Sequence, residues 1–149
     1  MVFAMLIPSG FAVAADEEIW DAEGTFGTTV SSPKMTAAMY GGSSAQIKEV
    51  GGKSGYLLSG SVWSKHSMYM NVAQGVINPS ARNVCVEVEY YDDSDDGWFY
   101  IEYNSRDGKS VYTRREWLRS SMQWKTAQFI MEAPTMGDDL NGADFAVRT

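Results

Sequence analysis

Rings and carboxylates between Glu87 and Glu102 offer the most evident chemistry in this chain. Tyr91, Trp98 and Tyr100 alternate with apolar neighbours, as do Glu87, Glu89 and Glu102. The C–H face of a pyranose packs on a flat ring, while nearby carboxylates accept hydroxyl protons. Trp98, Tyr100, Tyr91, Glu102 and Glu89 are therefore candidate ligand-binding residues. Trp117 is a sixth; flanked by Arg114-Arg115-Glu116 and Arg119, it either stacks a sugar or packs beneath the arginines. The same glutamates admit a catalytic pairing, because residues two apart share a strand face. Glycoside hydrolysis needs one desolvated acid, and nothing in the sequence marks one. A polysaccharide lyase needs a Tyr or His base beside a neutralising cation, and basic residues are scarce on this face. There is no G-x-S-x-G, nucleotide loop or Cys/His pair, so no catalytic residue is assigned and the chain reads as a non-enzyme.

A second chemistry lies in the acidic segments. Asp92-Asp93-Ser94-Asp95-Asp96-Gly97 has the D-x-S-x-D-G opening of a calcium loop, with a glycine at the sharp bend. The twelfth position is Tyr103 where such a loop needs a bidentate Glu, so a solvated polar turn is the stronger reading. Asp138, Asp139, Asn141 and Asp144 form another oxygen-rich segment. Asp92, Asp96 and Asp144 are the named candidates for a structural calcium; no cofactor is required.

The elements that position these groups read as strands. Val84, Val86, Val88 and Tyr90 alternate with Cys85, Glu87, Glu89 and Tyr91, and Phe99, Ile101 and Tyr103 with Trp98, Tyr100 and Glu102. Asn83–Asn104 is thus expected to be a long β-hairpin with its outer face armed, unless the N-terminal segment covers it. Further strands are expected at 46–50, 56–58, 67–72, 110–113, 116–119, 123–131 and 143–148, with Gly51–Gly55 a loop. Trp63 and His66 precede one of them and are candidates for a rim site. No stretch outside the N-terminus carries a helical apolar stripe. Short strands punctuated by Gly, Asn-Pro and Asp-Gly predict an all-β fold, a two-sheet antiparallel β-sandwich.

Composition narrows the field. The 149 residues suffice for one domain with a core, and 13% of them are aromatic, including five Trp and eight Tyr. A net charge of −7 argues against nucleic acid or an anionic membrane as partner. One Cys and one His provide neither a disulfide nor a zinc cluster. Met1–Phe11 is apolar and uncharged, and Ala12-Val13-Ala14-Ala15 then meets Asp16-Glu17-Glu18. Residues 1–15 read as a signal peptide whose basic n-region is missing, leaving 16–149 as one domain. Pro8, Ser9 and Gly10 argue against the alternative of a buried strand. The apolar stretch is too short to span a bilayer.

The run VEVEYYDDSDDGWFYIEYNSRDGKSVY, then QWKTAQFIMEAP and NGADFAVR, resembles a jelly-roll module of secreted bacterial polysaccharide-processing proteins. That module is similar to galactose-binding-like and carbohydrate-binding domains. The likeness covers about residues 67–148. It departs at Asn71-Val72-Ala73-Gln74, where an acidic segment is usual, and at Ala146, where a basic residue is usual and Arg148 follows two positions later. The resemblance implies a jelly roll, a secreted, cell-surface or periplasmic setting and association with a polysaccharide-processing enzyme. The expected activity is non-catalytic binding of a polysaccharide or glycoconjugate. A structural or adhesion module contacting protein is the alternative, and a small glycoside hydrolase or lyase comes last.

Overall fold

Period-two alternation along the chain becomes strands. The computed structural model describes residues 2–5, 35–39, 46–58, 67–78 and 80–149. Their strands are β1 (Val2–Met5), β2 (Met35–Met39), β3 (Gln46–Val50), β4 (Lys53–Leu57), β5 (Ser67–Val72), β6 (Asn83–Tyr91), β7 (Trp98–Asn104), β8 (Ser110–Tyr112), β9 (Glu116–Trp117), β10 (Trp124–Glu132) and β11 (Phe145–Arg148). One sheet runs β10-β6-β1-β4-β3; the other runs β2-β5-β11-β7-β8, with β9 also on β7. All strand pairs are antiparallel, and no helix occurs among the described residues. The chain is an all-β sandwich.

The inward residues fill the space between the sheets. Val86, Val88 and Tyr90 of β6 and Phe129 and Met131 of β10 meet Phe99, Ile101 and Tyr103 of β7 and Phe145 and Val147 of β11. Phe99 ties the layers, edge-on to Tyr90 at 4.9 Å and to Phe129 at 5.4 Å between centroids. Burying such a ring contributes about 1.5–3 kcal/mol. Tyr90 also sends its hydroxyl 3.1 Å to a Glu116 carboxylate oxygen.

The expected hairpin is not formed. β6 pairs with β10 and β1, whereas β7 pairs with β11, β8 and β9. Residues 92–97 carry the chain from one sheet to the other as an arch. Alternation determines which residues face inward, and both arrangements bury the same set. Only the partner strand distinguishes them. The six-residue connection also exceeds the two to five residues usual in a hairpin.

Two strands fall where the sequence predicts none. Val2–Met5, within the expected signal peptide, lies between β6 and β4, with Val2 opposite Tyr91 on one side and Leu57 on the other. Pro8, Ser9 and Gly10 follow this strand and lie outside the described residues, as do Trp63 and His66. Met35–Met39 pairs along β5. At residues 51–55 the expected loop shrinks to a two-residue turn. Gly51 and Gly52, at φ 57° and 77°, supply the left-handed conformations that a tight hairpin turn requires.

A chain beginning at Asp16 would lack β1 and leave the facing edges of β6 and β4 without their partner. Its melting temperature is expected to fall by roughly 10 °C or more relative to the full chain in a calorimetric scan. Equal melting temperatures would show that β1 contributes nothing to the sheet's stability.

Candidate functional site

The arch decides which side chains share a surface. Because β6 and β7 lie in different sheets, their outward residues point away from opposite sides of the sandwich. Tyr91 and Glu89 therefore belong to one outer face, while Trp98, Tyr100, Glu102 and Trp117 belong to the other. The six expected ligand-binding residues do not form one site. Glu87 and Glu89 are likewise separated from Glu102 by the packed core, which rules out the carboxylate pairing with Glu102 that the sequence allowed.

On the β6 face the candidates are engaged. Tyr91 is buried, with its ring edge-on to Trp124 at 5.7 Å. Trp124 donates its indole N–H to the Val50 carbonyl at 3.0 Å, which docks the β3–β4 turn against these rings. A Cβ on Gly51 would sit 2.9 Å from both Trp124 and Tyr91, so only glycine fits there. Lys53 forms an ion pair with Glu89, and Gln128 donates to Glu87 at 2.9 Å.

The β7 face carries a row of four rings. Trp98 and Tyr100, two apart on β7, stack at 5.5 Å with 27° between planes. Trp117 pairs opposite Trp98 in the sheet, and their rings stand edge-to-face at 6.5 Å. Tyr112 lies edge-on to Tyr100 at 5.5 Å. The two central rings are half-buried, whereas Tyr112 and Trp117 are 59% and 47% exposed. The Arg115 guanidinium covers the Trp98 ring at 4.2 Å. Trp98 thus has neighbours along the row and an arginine above, and the outer rings remain open to a ligand.

Glu102 stands beside this row but is not a free acceptor. It is buried, accepts the Ser110 hydroxyl at 3.0 Å and is ion-paired with Arg148. Arg148 also donates to Ser67 Oγ at 2.7 Å and to the Tyr69 hydroxyl at 3.3 Å. Arg148 shares its strand face with Ala146, because residues two apart point the same way. Sequence reasoning missed Tyr112, and it set Arg115 over Trp117 where the structure sets it over Trp98. The signal for Tyr112 was its place beside Val111, whose apolar side chain packs on the core and turns Tyr112 outward.

The three acids named for calcium are not brought together. Asp92 and Asp144 lie at opposite ends of β7, next to the arch and next to Asn104 respectively. Asp96 is exposed and accepts the Ser94 hydroxyl at 2.9 Å. Among the described residues no group of three or more His, Cys, Asp or Glu is arranged to hold a metal. Asp92 is fully buried and has another task. Its carboxylate accepts the backbone N–H of Arg119 at 2.7 Å, Ser120 at 3.1 Å and Ser121 at 3.2 Å, and both the Ser121 hydroxyl and the Lys125 ammonium at 2.7 Å. Backbone bonds between 92–97 and 118–123 close the same clasp, among them Leu118 N–H to the Gly97 carbonyl at 2.9 Å. A Cβ on Gly97 would lie 2.6 Å from Leu118 Cδ1.

Burial opposes the Asp92 charge, but the Lys125, Arg119 and Ser121 donors prevail and hold its pKa well below the usual carboxylate range. A folded-state pKa below the unfolded one stabilises above the unfolded value near ~4, and that contribution is lost as pH falls toward the folded value. Asp92→Asn is expected to cost about 2–4 kcal/mol at pH 7. Urea denaturation of this variant should depend less on pH between about 5 and 2 than that of the parent. Parallel pH profiles would refute the assignment of this acid-sensitive contribution to Asp92.

No protein-family model, curated protein or solved structure matches the chain.

Proposed function

We propose that this chain is a non-catalytic glycan-binding module of jelly-roll type, whose contact surface is the outer face of β7, β8 and β9. The observation that carries the reading is the four-ring row Trp117–Trp98–Tyr100–Tyr112, open at both ends. Sugars stack on the exposed rings of Trp117 and Tyr112, while the Tyr112 hydroxyl and the exposed Arg115 guanidinium bond to hydroxyls. The stacked central pair holds the outer rings in place, so little side-chain entropy is lost on binding. Such a shallow face gives modest affinity, and association with a polysaccharide-processing enzyme raises it through avidity.

A second reading also draws support from this face. Tyr, Trp and Arg are the residues that dominate protein–protein contacts, and Arg115 over Trp98 makes such a cluster. On that reading the module is structural or adhesive and its partner is a protein.

Affinity electrophoresis of the full chain through a panel of soluble polysaccharides, with and without calcium chloride, separates the readings. Retardation by at least one polysaccharide is expected, with Trp117→Ala and Tyr112→Ala each weakening it by roughly five- to thirty-fold, since one stacked ring contributes about 1–2 kcal/mol. Unchanged melting temperatures in these exposed-residue variants would keep the loss attributable to binding. No retardation by any polysaccharide would eliminate glycan binding and leave the protein-contact reading.

A further inference from the structure

At the other end of β7 from the arch lies a cleft of about 480 Å³, within the range of small-molecule sites. Its walls come from segments far apart in the chain: Met35 and Thr36 of β2, residues 71–74 at the end of β5, Met136–Asp138 and Asp144. Buried Met35 and Val72, with half-buried Met136, provide an apolar lining. Thr36, Asn71, Gln74, Asp138 and Asp144 provide the polar one, and no Lys, Arg or His is among the described lining residues.

Asp144 is the unusual member. Its carboxylate is almost wholly buried and accepts the Val72 N–H at 2.8 Å and the Asp138 N–H at 3.3 Å. These bonds use two of the four lone-pair positions of a carboxylate. Asp92, the other deeply buried aspartate, has a lysine and four further donors; Asp144 has two backbone amides, with no cation paired to it among the described residues. Burial raises its pKa, and the neighbouring Asp138 and Asp139 charges push the same way. A buried acid without a counter-ion is costly unless something supplies one.

We infer that this cleft binds an organic ammonium group on a short apolar stem, the ammonium between Asp144 and Asp138 and the stem against Met35, Val72 and Met136. The carboxylates and the polarisable methionines among the lining match the two halves of such a ligand. Asn71 and Gln74 supply further carbonyl acceptors at the mouth.

The test is a titration of the isotopically labelled full chain at pH 7, following the amide resonances of Val72, Asp138 and Asp144 by NMR. n-Butylammonium chloride should shift these amides saturably, and n-butanol, its neutral counterpart of similar shape, should not. Asp144→Asn should abolish the effect. Because that variant also alters a buried bonding group, Asp138→Asn, at an exposed position, provides a second check and should weaken binding roughly two- to five-fold. Equal shifts from n-butanol, or none from n-butylammonium, would overturn the proposal. Saturation by calcium chloride at lower concentration than by n-butylammonium would overturn it too, since the cleft would then be a hard-cation site. The aromatic face lies elsewhere, so loss of polysaccharide retardation with retained ammonium binding would leave this inference standing.

Discussion

A single buried carboxylate governs how the two layers are joined. Asp92 enters the interior at the point where the chain leaves one sheet for the other, and a charge there is tolerable only if every donor is in place. Three consecutive backbone amides, a hydroxyl and a lysine meet that demand. Bringing the amides of 119–121 around one carboxylate fixes the loop that carries Trp117 and Leu118. With Leu118 seated against Gly97, the arch sets the start of β7 and hence the register of Trp98 with Trp117. The exposed ring row therefore depends on a polar knot that none of the rings touches.

An aromatic surface this large is tempered by its own neighbours. Stacked rings on an open sheet face are prone to association. Here the central pair is half-covered, Arg115 lies on Trp98, and Glu102 beside them is matched by Arg148. The face is thus neither a bare apolar patch nor a cluster of repelling charges. Its counterpart on the β6 side follows a different course, since the Gly51-Gly52 turn packs on Tyr91 and Trp124, burying the first and half-covering the second.

Much of this was legible in the sequence, and the limits have physical causes. The alternation in 84–91 and 98–103 identified the inward residues correctly, because a one-residue error would expose every valine and phenylalanine at once. What alternation cannot encode is which strand lies alongside, so the arch was read as a hairpin and two opposite faces as one. Asp92 was read as a solvated turn or a metal ligand because its partners lie about thirty residues later, and no local pattern reports them. The pairing of β1 and β2 depends in the same way on distant strands, and their short sequences, VFAM and MTAAM, carry little alternation. The lining of the cleft draws on three separate stretches, and no single motif announces it.

The position of β11 sets how the molecule assembles. This four-residue strand lies between β5 and β7, and its Arg148 bonds to Ser67 across 81 residues of sequence. Until it docks, the second sheet is two separate pieces, β2-β5 on one side and β7-β8 on the other. Closing so long a loop costs conformational entropy before any of the pairing is gained. Arrival of β11 is therefore expected late on the folding path, with high contact order placing the chain among slow-folding β proteins. The cleft beside Asp144 is completed in that step, whereas the ring row lies wholly on β7, β8 and β9 and does not wait for it.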